Sequence, residues 1–277
     1  MTDTAPISVT RLTDDLRRLG VGDGDTLMVH ASLRAIGPVV RGADGVLDAI
    51  ESAVGPDGTV LMLLVPLIEH DWVNERPNDE REALLADVVP YDPAAAPAVS
   101  DVSYLAEVFR RRRGTRVTAH PSGRFGARGR RADELLRGQR WDDYYGPGSP
   151  LEQLCDVGGN VLRLGADPAT TTVLHYAEYL ADVPDKRRVR RHYRVLGAKG
   201  PEVRAVESLD NETGIADWHG EDYFAVILKA YVAAGRARLG NVGRAASALI
   251  DAGDIVAFGT RWMNRNLGGT GHGGSNT

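Results

Sequence analysis

Two short apolar segments, Thr26 to His30 and Thr59 to Val65, constrain this chain more than anything else in it. Both are too short for core helices, and the second is apolar at almost every position, which suits a strand buried on both faces. Helical spacing precedes each one. Ser8 can cap a helix whose apolar face is Val9, Leu12, Leu16 and Leu19, stopped at Gly20, and Val46, Leu47, Ile50 and Val54 mark a second helix ahead of the turn Gly55-Pro56-Asp57-Gly58. Helix, strand, helix, strand predicts an α/β fold with a central mixed sheet flanked by helices.

The rest of the chain extends this pattern. Helices are predicted over Asp101 to Arg113, Ala132 to Leu136, Leu151 to Cys155, Thr170 to Glu178, Tyr223 to Ala234 and Arg244 to Ile250. Strands are predicted at Val117 to His120, Asn160 to Leu164, Arg204 to Leu209 and Ile255 to Phe258. Glu69 to Ser100 has little periodicity and reads as a long acidic loop excursion, a kind of segment that usually carries function. With no repeat and no linker, one domain over 1–267 is expected, followed by a low-complexity, disordered tail at 268–277.

Hydrophobic residues make up 43% of the 277, enough for a packed core. No run is long and apolar enough to cross a membrane, and Asp3, Arg11, Asp14 and Asp15 interrupt the first twenty residues, so no signal peptide is expected. The single cysteine, Cys155, excludes an internal disulfide. A cytoplasmic protein, monomer or homodimer, is the expectation. Net charge is −5, unevenly spread: Glu69 to Asp92 and Glu207 to Asp222 carry −6 each, leaving +7 on the remainder. Acidic loops are ordinary solubility devices, but this asymmetry also suits a protein that handles one polycation and one polyanion. Lys186 to Arg194 holds six Lys or Arg, yet no nucleic-acid-binding motif accompanies it, and no nucleic-acid partner is expected.

The sharpest chemical signal is His175 with Glu178 three residues on, the same face of one helix. A carboxylate on one imidazole nitrogen fixes the tautomer and leaves the other as a general base. Such a pair is also a common solvated helix contact. Cys155 falls at a helix C-terminus, the wrong end to activate a thiol. His175 and Glu178 lack the second histidine of a zinc-protease helix, and no metal is expected. Two strand-to-loop junctions, Val29 to Arg34 and His120 to Gly129, combine small residues with arginine and can meet phosphates, although neither is a Walker loop or a dinucleotide fingerprint.

Taken in order, these motifs resemble the aminoglycoside 3-N-acetyltransferase family, from about Leu12 to about Asn266. The anchors are Leu19-Gly20-Val21, Val29-His30-Ala31-Ser32-Leu33-Arg34 with Ile36-Gly37, Gly55-Pro56-Asp57-Gly58-Thr59, Tyr91-Asp92-Pro93, Ala119-His120-Pro121-Ser122, Gly148-Ser149-Pro150-Leu151, Thr172 with His175 and Glu178, Asp222-Tyr223-Phe224 and Gly240-Asn241-Val242-Gly243. The resemblance implies transfer of an acetyl group from acetyl-CoA to the 3-amino group of a deoxystreptamine antibiotic, conferring resistance. His175 would be the base, Glu178 its partner, and Thr172 a helper at the oxyanion. It implies acetyl-CoA contacts at Ala31, Ser32, Leu33, Arg34, Gly37 and Val39 and at Ser122, Gly123, Arg124 and Phe125. The polycationic acceptor would meet Glu69, Asp71, Glu75, Asp210 and Glu212. The chain departs from the family at Ala31, at Val102-Ser103 and at Gly123-Arg124-Phe125. Three other readings stay open: the same fold acting on another small amine, a metal-assisted hydrolase, and a polycation-binding protein without catalysis.

Overall fold

The computed structural model describes residues 5–99 and 104–268. Its centre is a seven-stranded sheet of order β3-β4-β2-β1-β5-β9-β8. The strands are β1 (Thr26–Ala31), β2 (Thr59–Leu63), β3 (Arg116–Val117), β4 (Phe125–Gly129), β5 (Asn160–Leu164), β8 (Arg238–Val242) and β9 (Ala245–Asp251). β2, β1 and β5 are mutually parallel, and the outer strands join antiparallel. A separate hairpin pairs β6 (Arg188–Gly197) with β7 (Gly200–Leu209).

The sheet is covered on both sides, as the apolar strands require. Leu27 and Val29 of β1 face one core with α1 (Val9–Leu19), α3 (Ala43–Val54) and α5 (Tyr104–Arg111). Met28 faces the other, built from α6 (Ala132–Leu136), α7 (Pro150–Asp156), α8 (Leu174–Leu180), α9 (Tyr223–Ala233), α10 (Ala252–Asn266) and the β6–β7 hairpin. α1 forms as its sequence predicts. Ser8 Oγ accepts from Arg11 N, Gly20 ends the helix at φ 110°, and Leu12 and Leu16, four apart, are fully buried. Each such leucine contributes roughly 1.5–3 kcal/mol.

Four expectations need correction. The helix expected over Arg244 to Ile250 is instead strand β9 from Ala245 onward, because it pairs with both β5 and β8 and its alternating Ala245, Ser247 and Leu249 are buried on one face of the sheet. Ile255 to Phe258 lies inside α10, where Ile255, Val256, Gly259, Trp262 and Met263 form a helical stripe and Asp251 Oδ1 caps Asp254 N at 2.7 Å. The acidic excursion is not a bare loop. It holds a 3₁₀ turn (Asp71–Glu75) and α4 (Asn78–Leu85), and it is stitched to β6 by Asn74 on both backbone groups of His192 and by Arg81 on the Arg190 carbonyl. The strand expected at Val117 to His120 keeps only Arg116–Val117. Except for Gly268, the expected tail at 268–277 lies outside the described residues, as does Val102-Ser103.

Candidate active site

α8 carries the His175–Glu178 pair. One helical turn places His175 Nδ1 2.7 Å from Glu178 Oε2. Glu178 is 1% exposed, and its second oxygen, Oε1, accepts from the Tyr223 hydroxyl at the start of α9. The carboxylate therefore has a donor on each oxygen, as a buried one must. The His175 ring is clamped: Tyr145 stacks on it at 4.9 Å and 8°, and Phe224 meets it edge-on at 4.8 Å. With Nδ1 donating to the carboxylate, Nε2 is the basic nitrogen, and it makes no hydrogen bond to the described residues. His175 and Glu178 line a cavity of ≈ 200 Å³ together with Ala169, Asn211, Glu212, Trp218, Asp222, Tyr223 and Phe224.

A second, larger space adjoins it. A cleft of ≈ 1010 Å³ opens at the C-terminal ends of β1, β2 and β5, lined by Val29 to Arg34, Met62, Leu63, Tyr104, Gly165 to Pro168, Thr170 and Thr172. This is the crevice where chain connections leave a parallel sheet in opposite directions, the usual ligand position in α/β folds. The segment from Ala166 to Thr172 is shared. Ala169 faces the His175 cavity, whereas Pro168, Thr170 and Thr172 face the cleft. It is braced by Arg163, a 4% exposed guanidinium that donates to Thr171 Oγ1 at 2.8 Å and to the Ala166 and Asp167 carbonyls. Burial lowers Arg163 to about 10, so it remains a cation. Across the strand pair sits His30, whose Nε2 is sealed from solvent without a hydrogen-bond partner among the described residues. Burial first, and repulsion from Arg163 second, push His30 down to about 3.

The structure brings some of the expected residues together and separates others. Ala31, Ser32, Leu33, Arg34 and Thr172 line the cleft. Gly37 packs on Arg244, and Val39 bridges to Ile7 and joins the apolar core. The Ser122 to Phe125 loop is engaged internally. Ser122 Oγ donates to the Tyr193 hydroxyl, Gly123 presses against the Tyr144 ring, and Phe125 is core. Arg124 is fully buried, with Nε on the Leu64 carbonyl at 2.9 Å and Nη1 on the Ala96 carbonyl at 2.7 Å. Glu212 lines the His175 cavity and pairs with Arg191 at 2.8 Å, whereas Asp210 is buried in its own turn, accepting from Glu212 N, Thr213 N and Thr213 Oγ1. Burial raises the Asp210 carboxyl, but these bonds outweigh it and leave it low. Glu69, Asp71 and Glu75 are exposed on the excursion and line neither space. Within the basic run, Arg187 pairs with Asp217, Arg188 with Asp143 and Glu207, and Arg191 with Glu212, while Lys186 and Arg194 donate to the Tyr179 and Leu85 carbonyls. Cys155 is inert, pushed up to about 12 by burial. Among the described residues no three His, Cys, Asp or Glu side chains come together as a metal site, and no helix is long and apolar enough to cross a membrane.

Sequence reasoning missed Tyr145 and the role of Tyr223. Tyr223 reads as one of the apolar markers of its helix, and Tyr145 lies in a stretch with no periodic or motif signal.

Residues 28–264 match the family model for aminoglycoside 3-N-acetyltransferase. The chain belongs to this family. It is 39% identical over 274 residues to aminoglycoside N(3)-acetyltransferase VII of Streptomyces paromomycinus, covering 95% of this chain and 93% of that protein. Among solved structures it is similar to AAC-IIIb in a binary complex with CoASH, at a TM-score of 0.89 and 36% identity, covering 96% of this chain and all of that one (100%). It is also similar to AAC-VIa bound to sisomicin, at a TM-score of 0.86 and 34% identity with the same coverage, 96% and 100%.

Proposed function

We propose that this chain transfers the acetyl group of acetyl-CoA to the 3-amino group of a deoxystreptamine aminoglycoside, with His175 as general base, and so confers resistance to the antibiotic. One observation carries the reading: an imidazole fixed by a buried carboxylate, its second nitrogen without a hydrogen bond among the described residues, lining a small cavity edged by acids one turn after Thr172, which lines a large cleft at the strand ends. The family's activity, and the names of relatives that hold CoASH or sisomicin, support it.

In this reading acetyl-CoA lies in the cleft along Ala31 to Arg34, with its thioester toward Thr172, and the antibiotic enters beside Glu212 and Asp222. The cleft's size and its serine and arginine suit a long, phosphorylated thioester. His175 Nε2 takes a proton from the attacking amine as nitrogen bonds to the thioester carbonyl carbon. Glu178 stabilises the imidazolium formed. The tetrahedral oxyanion, helped by Thr172 or a loop N–H, collapses with cleavage of the carbon–sulfur bond, and the thiolate takes a proton to leave as coenzyme A thiol. No acyl-enzyme is needed.

A thiol-release assay with acetyl-CoA and an aminoglycoside panel tests this, followed by locating the new amide. Acetylation at the 3-nitrogen is expected. Thiol release with other amines but none with aminoglycosides would move the acceptor to a different class, and antibiotic binding without thiol release would exclude catalysis.

A further inference from the structure

We infer that Tyr223 is a positioning residue for acyl transfer, holding the Glu178 carboxylate so that one oxygen stays committed to His175. The inference rests on the reading of His175 as the base. Tyr223 opens α9, and its backbone is fixed by Asp222, whose Oδ1 accepts from Phe224 N at 2.8 Å and Ala225 N at 3.1 Å. The side chain is 6% exposed. Its ring is wedged in place: a Cβ on Gly214, which sits at φ +83°, would lie 2.7 Å from Tyr223 Cε1. The hydroxyl donates to Glu178 Oε1 and, among the described residues, has beyond that a long contact, 3.4 Å, from Ile215 N. Burial and the Glu178 charge both raise this phenol, so it remains a protonated donor throughout the working range.

The consequence follows from the two oxygens of Glu178. Both are buried, so each needs a donor, and among the described residues only Tyr223 supplies Oε1. A hydrogen bond to the charged form of a carboxylate favours that form. Without it, Glu178 can turn Oε1 toward His175 or bind the shared proton more tightly. Either way the imidazole loses its fixed tautomer or gains proton affinity as a pair, and the free base on Nε2 becomes scarcer at a given pH. Phe224, next in the chain, touches the His175 ring directly, so one helix terminus sets both the ring and its carboxylate.

Tyr223→Phe keeps the ring packing and removes only the hydroxyl. The expected result is a fall in kcat of about tenfold, KM for acetyl-CoA within about twofold, and the acid limb of the kcat/KM profile moved to higher pH. A merely structural hydroxyl would lower Tm and leave that limb in place. Fluorotyrosine at position 223, a stronger donor that retains the hydroxyl, should move the limb the opposite way. In a Glu178→Gln background, Tyr223→Phe should add little further loss, because the two act as a unit. Unchanged kcat with an unmoved acid limb in Tyr223→Phe, or full multiplication of the losses in the double variant, overturns the inference. Parallel assays of the unaltered enzyme and His175→Ala keep the two levels apart. Near-normal turnover in His175→Ala removes the general-base reading itself, whereas a dead His175→Ala beside a silent Tyr223→Phe removes only Tyr223.

Discussion

His120, at the end of a predicted strand, and His175, within a predicted helix, both stand in motifs that could carry function. The structure uses them in opposite ways. His120 Nδ1 accepts from both Ser122 N at 3.1 Å and Gly123 N at 2.9 Å, and Nε2 donates to the Trp141 carbonyl at 2.7 Å. The ring is 4% exposed, between Trp141 and Tyr144. Every polar atom is spent on the fold. His175 spends one nitrogen on Glu178 and keeps the other for the cavity. A histidine serves chemistry by what it leaves unbonded, and that is a property of the three-dimensional neighbours rather than of the local motif.

The largest expected effects separate the two rings. His175→Ala should lower turnover per folded molecule by about two to four orders of magnitude, far more than the stability lost by leaving Glu178 Oε2 without its donor can explain. Steady-state kinetics beside a urea titration measures both. Glu178→Gln should lose less, about one to two orders, because a hydrogen-bond partner remains without the charge. His120→Ala should behave in reverse. It strands the Ser122 and Gly123 N–H groups and opens a cavity, costing about 3 kcal/mol or more, with turnover per folded molecule largely kept. Equal losses of turnover per folded molecule in His120→Ala and His175→Ala would erase the distinction.

How much of this was legible follows from the same contrast. The His175–Glu178 contact needs only helical periodicity, and the sequence contains that. α1 with its Ser8 cap and Gly20 stop, and the buried strands β1, β2 and β5, are likewise set by local chemistry. The failures lie where tertiary pairing overrides local preference. Ala245-Ala246-Ser247-Ala248 reads as helix until β5 and β8 claim it from both sides. Arg124 reads as a phosphate ligand until the Leu64 and Ala96 carbonyls are seen to surround it. The partners of Glu178 Oε1 and of the His175 ring, Tyr223 and Tyr145, come from other elements 45 and 30 positions away in the chain, which no spacing rule reaches.

The neutral, buried ring also gives the fold a pH signature. Burial leads in lowering His120 to about 4, outweighing its bond to the Trp141 carbonyl, and His30 falls to about 3. For a base whose folded pKa lies below its unfolded value, the unfolded chain binds more protons between the two. The stabilising contribution is therefore complete above about pH 6.5 and is lost as pH falls toward 4. For His120 alone, moving from about pH 7.5 to about pH 5 should cost about 2 kcal/mol. Guanidinium midpoints at the two pH values check it. A His120→Asn variant should show a shallower decline, and an identical pH slope would show that His120 is not the titrating group.

The smallest effect belongs to the acidic acceptor wall, where two acids two residues apart repeat the contrast between spent and available groups. Asp210 has three donors in its own turn and little left for a ligand. The Glu212 side chain is 69% exposed, lines the His175 cavity, and among the described residues has the Arg191 ion pair alone, which an incoming ammonium can share or displace. Because the group is exposed and already partly neutralised, its worth to a cationic ligand is that of a surface pair rather than a buried one. Glu212→Gln should raise KM for the aminoglycoside about two- to fivefold, leave KM for acetyl-CoA unchanged, and lose its effect as salt rises. Asp210→Asn should instead lower stability by loosening the 210–213 turn, and should disturb KM only through that turn. If Glu212→Gln changes both Michaelis constants equally, or if its effect ignores salt, Glu212 is no part of the acceptor site. If Asp210→Asn gives the larger, salt-sensitive rise, then the turn opens on binding and its carboxylate is the acceptor contact.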